Sequence, residues 1–428
     1  LMSKKQNIVK KITGWKVMIG IQIIASLVLI GLLFKLGALP IKYIFIIVAL
    51  IILLNVGTFS LMKPSKNKNK GNVRNVLGKL ISVILSIILL VGSLYIVQGD
   101  STISSITGAD TQTTRISVVV LKDSKYEKLS DLKNKTIEVN TSVEEEKIKS
   151  ALSALNKEEP SIKTKEVKDF SKMADDLYNK KTPAIYVNEA HYTMLESNHE
   201  NFEYETKVIY TYEYEEKLTD ISKDVSVTKD PFIVYISGID TYGKVSTVSR
   251  SDVNMLVTVN PKTKQILMTS IPRDYYVTLA NRGEKDKLTH SGLAGIENTV
   301  KTMENFMDID INYYARVNFT SLIKIVDALG GIELYIPKSV VANDGLGTKF
   351  TKGNMKLNGQ EALAYSRERY AFGDGDNARV QHQQDVLEAM LKKMMSPAII
   401  TNYSSILKAI DGSFETNMKS SDITDLIQ

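Results

Sequence analysis

Arg367, Arg369, Arg379 and Gln383 crowd one tract of this chain around the turn Gly373-Asp374-Gly375-Asp376. Guanidinium groups stay charged at any working pH and grip phosphate oxygens bidentately, so such a cluster suits a pyrophosphate or a similar dianion. Arg367 and Arg369 stand two apart and project to one side of an extended segment. Arg379 and Gln383 stand four apart and share one face of a helix. Asp374 and Asp376 fit a turn as well as a ligand role. Far upstream, charged side chains gather again at Asp240, Arg250, Asp252, Arg273 and Asp274.

These residues sit where apolar runs end. Phe232 to Asp240 reads as a buried strand and Val253 to Val259 as a second. Gln265 to Ile271 reads as a third that stops at Pro272-Arg273-Asp274, with turn chemistry in Asn260 to Lys264 between them. In α/β sheets the ends of strands are where ligands bind. Downstream the pattern predicts a helix over Gly292 to Met307, a strand over Tyr313 to Asn318, a helix over Phe319 to Leu329 and a strand over Gly331 to Pro337. Asn358 and Glu361 make a helix cap, and a longer helix over Ala378 to Met395 places Leu387, Leu391 and Met394 at core spacing. His290 and His382 lie near these motifs but are read as outside the site.

The other end of the chain decides where this chemistry operates. Three apolar runs, 17–34, 43–62 and 80–97, are each long enough to cross a membrane as a helix. A secretory signal would explain one such run, not three. Lysines and arginines crowd the N-terminus and the hairpin between the second and third runs, so the positive-inside bias puts both in the cytoplasm and everything after about Gln98 outside. Of the 54 Lys and Arg, 13 precede Asp100 and no Asp or Glu does, leaving 41 basic against 48 acidic side chains, or −7, on the outer portion. The formal +6 is therefore a signal of membrane orientation, and no nucleic-acid partner is expected. The chain has no cysteine, which fits an exposed compartment without disulfides.

The outer portion divides into a polar stalk, 99–114, an accessory module, 115–225, and a third unit, 230–428, after the membrane part, 1–98. Strands at Ile116 to Leu121, Ile162 to Val167 and Ala184 to Val187 alternate with helices at Val143 to Leu155 and Ser171 to Lys180, so the module is a small α/β domain. Glu144-Glu145-Glu146-Lys147 reads as a solvated helix face, and His191 and His199 as surface residues. Asp422 to Ile427 reads as the start of a helix that continues further in longer relatives.

From about Asp230 onward the chain resembles the LytR-CpsA-Psr family, and its whole plan resembles the capsule-cluster members. The resemblance rests on Ile239-Asp240, Arg250-Ser251-Asp252, Ser270-Ile271-Pro272-Arg273-Asp274, Val317-Asn318-Phe319, Asp327-Ala328-Leu329-Gly330-Gly331, Leu357 to Leu363 and the arginine tract. It implies a membrane-anchored α/β protein: three transmembrane helices, an accessory domain, then an α/β/α sandwich around a mixed sheet. It also implies a multi-pass phosphotransferase moving a glycopolymer from a polyprenyl pyrophosphate carrier to peptidoglycan.

The resemblance puts Asp240 and Asp252 on a divalent cation, Mg²⁺ or alternatively Mn²⁺, and Arg250, Arg273, Arg367, Arg369, Arg379 and Gln383 on the two phosphates. Asp252, Arg273, Arg367 and Arg369 are the expected catalytic residues. Asp252 and Asp274 both stand as alternatives for the base, and Asp274 alternatively orients Arg273. The resemblance makes Phe319, Leu322, Ile323, Val326 and Leu329, with Val386, Met390 and Met394, the candidates for a lipid slot, although most of them read first as ordinary core. Two alternatives stay open: a polyprenyl pyrophosphate hydrolase using the same site, and a regulatory attenuator of capsule biosynthesis.

Overall fold

The computed structural model describes residues 14–427 apart from 38, 65–67, 197, 200, 240, 242, 345, 374, 395 and 397–401. It opens with three helices, α1 (Trp15–Leu36), α2 (Ile41–Met62) and α3 (Lys68–Ile106), each long and apolar enough to cross a membrane. Their few polar side chains turn inward. Gln22 and Ser26 are buried, and the Asn55 amide of α2 donates to the Ser26 hydroxyl of α1 at 2.9 Å. Such pairing spares polar groups contact with hydrocarbon.

The stalk expected over 99–114 is not a stalk. Residues 99–106 continue α3 as helix, and 111–114 already belong to the first strand. The polar composition does not prevent this, because the small hydroxyls bond back to the helix itself: Ser105 Oγ to the Thr102 carbonyl at 2.9 Å and Thr107 Oγ1 to the Ile103 carbonyl at 2.8 Å.

The accessory sheet has the order β3-β2-β4-β1-β5, built from β1 (Thr111–Leu121), β2 (Thr136–Val139), β3 (Lys163–Glu166), β4 (Ile185–Asn188) and β5 (Thr206–Lys217). Helices α4 (Glu145–Glu158) and α5 (Phe170–Tyr178) cover it. His191 is not the expected surface residue: it is buried against Phe170, with Nε2 3.4 Å from Glu144 Oε2. Glu144 is accordingly no solvated side chain, since Asn188 Nδ2 also donates to it at 2.7 Å.

The second domain is built on a mixed sheet of order β16-β11-β6-β7-β8, comprising β6 (Phe232–Ile239), β7 (Ser251–Asn260), β8 (Gln265–Ser270), β11 (Tyr313–Asn318) and β16 (Glu415–Thr416). β6 and β11 run parallel, while β7 runs antiparallel to β6 and β8. The C-terminal ends of β6, β8 and β11 therefore share one edge with the start of β7. Ribbons β9 (Tyr276–Thr278) with β10 (Lys285–Lys287), β12 (Ile332–Ile336) with β15 (Gly353–Leu357), and β13 (Val340–Val341) with β14 (Lys349–Phe350) flank it.

Helices lie on both faces of that sheet. On one, α6 (Ile296–Met307) packs its Ile296, Val300 and Met303 against Tyr235, Leu256 and Tyr314. On the other, Met418 and, from the C-terminal α11 (Ser420–Ile427), Ile423 cover Phe232, Val234 and Tyr313, while Gln384 of α9 (Asp376–Met394) donates to Ser270 at 2.9 Å. Between them, α7 (Phe319–Ala328) and α8 (Gly359–Arg367) start on capping boxes, Asn318 with Ser321 and Asn358 with Glu361. A last helix, α10 (Tyr403–Ile410), leans on α3, where Tyr403 and Tyr95 meet edge to face at 5.7 Å.

α7 and α8 approach so closely that a Cβ on Gly359 would lie 2.3 Å from the Ile323 carbonyl oxygen. Gly359→Ala should accordingly destabilise the domain by about 1–3 kcal/mol, because overpacked backbone must shift. Thermal unfolding of the detergent-solubilised protein measures this, and an unchanged midpoint would contradict the contact.

Candidate active site

Strand ends bring the first charges together. Arg273, just past β8, donates from Nη1 to Asp252 Oδ2, just inside β7. The pair is largely enclosed, with side-chain exposures of 17% and 14%. Asp252 Oδ1 accepts from the Thr289 hydroxyl at 2.8 Å, and the Thr289 N–H donates to the Arg273 carbonyl at 2.9 Å. A single short turn, residues 288–294, thus braces both partners. Gly292 in that turn has to be glycine, since a Cβ there would meet the Ser249 carbonyl at 2.4 Å and the Ser251 nitrogen at 2.7 Å. The same contact holds the backbone at Arg250 in place.

Asp274 extends the cluster outward. Its carboxylate lies 3.7 Å from Arg273 Nε and 3.0 Å from Lys287 Nζ. Burial works against its charge, but the Lys287 ammonium and the guanidiniums of Arg273 and Arg369 outweigh it and hold the carboxyl below its ordinary range. A carboxylate so stabilised is a weak base. Asp274 fits the orienting role better than the proton-accepting one.

The arginine tract is shaped by a residue that the sequence did not single out. Glu368 lies between Arg367 and Arg369 yet is only 4% exposed. Its Oε1 accepts the N–H groups of Arg369, Tyr370 and Ala371 at 2.9, 2.7 and 2.9 Å, and its Oε2 accepts that of Asn343 at 2.6 Å. One carboxylate therefore folds the loop between α8 and α9. Burial opposes its charge, and the four backbone donors overcome this and lower its pKa. Behind the loop, His382 packs on Tyr365 and Phe372 with centroids 4.2 and 4.7 Å apart, and burial pushes its imidazole below the ordinary value. It is a packing residue.

Arg367 closes α8 and is exposed, its guanidinium 4.4 Å from the centroid of the Phe319 ring. Phe319 follows β11 directly, and its N–H donates to the Thr241 carbonyl beyond β6 at 3.3 Å. Phe319 thus carries an arginine at the sheet edge. Arg369 is half-buried and bears electrostatically on Asp274. Arg379 is buried in the first turn of α9, with Gln383 half-buried one turn further. Asp240 and Asp374 lie outside the described residues. Among the described residues there is no group of three or more His, Cys, Asp or Glu able to hold a metal ion.

One face of the sheet leads away from this edge. Register puts Ile236, Val253, Val257 and Met268 on the same side around the buried Met255, and these four are only half-buried. The facing α7 and α9 bury Val326 and Val386, with Leu322 and Met390 packed against that core, while Leu329 and Met394 join a second cluster with α10. The half-buried strip is on the strands, while most of the helix residues named as slot candidates join the core as their ordinary reading expected.

A mixed α/β domain with arginines gathered at one sheet edge, carried on three membrane-length helices, defines a membrane-anchored α/β protein. The chain belongs to the LytR_cpsA_psr family, whose model matches residues 191–428. A model of DNA polymerase processivity factors also matches residues 75–187, a stretch that starts inside α3. The polyisoprenyl-teichoic acid–peptidoglycan teichoic acid transferase TagU of Bacillus licheniformis is 38% identical over 198 residues, 46% of this chain and 63% of that protein. The namesake from Enterococcus faecalis is 37% identical, over 46% of this chain and 64% of its own. The chain thus spans less than two thirds of the length of these relatives. The crystal structure of B. subtilis TagV is 34% identical with a TM-score of 0.41, over 46% of this chain and 79% of that one.

Glu368 makes the site's architecture pH-dependent. Its folded pKa is depressed below the unfolded value of about 4.3, so its contribution is present above that value and is lost as pH falls through the folded pKa. Melting temperatures across the acid range should show this loss in the wild type, and Glu368→Gln should be less stable near neutrality, by about 1–3 kcal/mol. Coincident curves for the two proteins at all pH values would contradict the assigned role.

Proposed function

We propose that the chain is a phosphotransferase that moves a glycopolymer from a polyprenyl pyrophosphate carrier onto peptidoglycan. The observation that carries this reading is the enclosed Arg273–Asp252 pair at the edge where β6, β7, β8 and β11 meet the loop of Arg367 and Arg369. Cations there are pre-positioned, and in phosphoryl transfer positioning and charge neutralisation matter more than covalent help. The names of the similar proteins support the same substrate class. The half-open apolar strip of Ile236, Val253, Val257 and Met268 beside that edge suits a polyprenyl chain.

In this reading Arg250, Arg273, Arg367, Arg369 and Arg379, with Gln383, hold the two phosphates. The acceptor hydroxyl forms a bond to the sugar-proximal phosphorus, the bond to the bridging oxygen breaks, and the lipid monophosphate leaves with that oxygen while the acceptor's proton passes to water. Arg367, exposed over the Phe319 ring, is free to swing onto the leaving phosphate. Arg273 stays fixed. Asp252 suits a divalent cation: each of its oxygens receives one described donor and keeps a second lone pair, and a hard cation shared with phosphates and water needs only one or two carboxylates. Mg²⁺, or Mn²⁺ in its place, would be held there by Asp252 with Asp240 and would neutralise charge on the phosphates. The positive-inside bias supports a catalytic domain outside the cell.

With polyprenyl-pyrophosphate-linked glycan and a peptidoglycan acceptor, Arg367→Ala in the full chain should lower transfer about a hundredfold or more while the protein still inserts and folds. Mass spectrometry of the product decides: wild-type transfer by the variant sinks the assignment, and free polymer released in place of attached polymer marks a hydrolase. Chelation should abolish transfer and added Mg²⁺ or Mn²⁺ should restore it; activity indifferent to chelator would contradict the cation.

A further inference from the structure

The strand β1 does not end its hydrogen bonding at its own sheet. Thr113 pairs with Thr247 in a parallel bridge: its N–H donates to the Ser246 carbonyl at 2.9 Å, and its carbonyl accepts from the Val248 N–H at 2.8 Å. Residues 243–248 lie within the connection from β6 to β7, between the sequence positions of Asp240 and Asp252. Lys244 of the same connection lies 2.9 Å from Glu213 of β5. The accessory sheet thus grips the loop that joins two parts of the phosphate edge.

A second route runs through the turn that braces Asp252. Gly295, directly after it, adopts φ +90°, and a Cβ there would come 2.4 Å from the Gln112 side chain of β1. Gln112, Thr113 and Thr114 are all buried although polar. Residues of this type at the base of a strand fix a position through hydrogen bonds more than they add core.

From the opposite side the loop is held by Arg316 of β11. This arginine is 2% exposed, donates from Nη2 to the Thr247 carbonyl at 2.7 Å, and lies 3.4 Å from Glu415 Oε1 through Nη1. Thr247 is therefore fixed between the accessory domain and a buried guanidinium. Arg316 makes no described contact with the charges at the edge.

We propose that the accessory domain is a positioning element for the phosphate-binding edge, acting through the Thr113–Thr247 bridge with Arg316 as the opposing positioning residue. The inference rests on the functional reading above. A ligand or partner that displaced the domain would loosen the loop and weaken binding of the pyrophosphate.

The full chain in nanodiscs tests this with Thr113→Pro, which removes the donor to Ser246, and with Arg316→Met beside Arg316→Lys. Thr113→Pro and Arg316→Met should raise KM for the lipid-linked glycan about tenfold with a smaller change in kcat. Arg316→Lys, which keeps a donor for the Thr247 carbonyl, should recover most of the loss. Circular dichroism and melting curves show which variants fold; if Thr113→Pro does not, the Met and Lys pair decides, and if Arg316→Met does not, Thr113→Pro decides. Folded variants with wild-type KM, or equal losses in the Met and Lys forms, overturn the proposal. Arg367→Ala separates the two readings: full transfer by that variant refutes the functional reading, whereas its inactivity beside a normal KM in Thr113→Pro refutes only the positioning.

Discussion

The pair of Arg273 with Asp252 is the interaction around which the second domain is arranged. Enclosing two opposite charges gives little net stability, and removing either partner leaves an uncompensated charge in a poorly hydrated place. Such a pair makes sense where a third charge arrives. The surroundings keep the two groups ready for it: Thr289 bonds one through its hydroxyl and the other through its N–H, and Lys287 reaches the neighbouring Asp274. A pyrophosphate entering this edge would meet cations already oriented, so little reorganisation would be left for the reaction itself.

The membrane helices contribute more than an address. α3 runs to Ile106, so about 13 Å of helix extends beyond the apolar run at 1.5 Å per residue. α10 and the start of α11 rest against the end of α3, through Tyr403 against Tyr95 near the close of the apolar run and through Thr107, just past the helix, with Ser420, whose hydroxyls lie 2.7 Å apart. The Ala109 N–H then donates to the Thr416 carbonyl in β16. The second domain is tied to the helix by hydrogen bonds and ring contacts, which fixes the reach between the site and the membrane that would hold a polyprenyl substrate.

Much of this was legible in the residues because buried strands leave continuous apolar runs and charges at their ends stand out. β6, β7 and β8, the Asn358–Glu361 cap and the placement of Arg379 and Gln383 on one helix all follow from local pattern. Glu368 did not, since a glutamate between two arginines looks like a solvated ion pair, and only folding shows that it binds backbone. The stalk expectation fails because Ser and Thr lower helix propensity in isolation, whereas here contacts with the second domain override it. β5 was missed for a related reason. Its Tyr and Glu alternate on a half-covered edge, where the signal of burial is weak. The coupling of Thr113 to Thr247 joins distant segments through backbone atoms, which carry no residue signature at all.

The central claim is that the edge around Arg273 holds a polyprenyl pyrophosphate. Native mass spectrometry of the full chain, released from membranes supplied with that lipid, measures this most directly. The account predicts a bound species of the lipid's mass on the wild type that is lost in Arg273→Ala with the fold intact. A wild-type protein that carries no such lipid, or an Arg273→Ala variant that retains it equally well, would contradict the account.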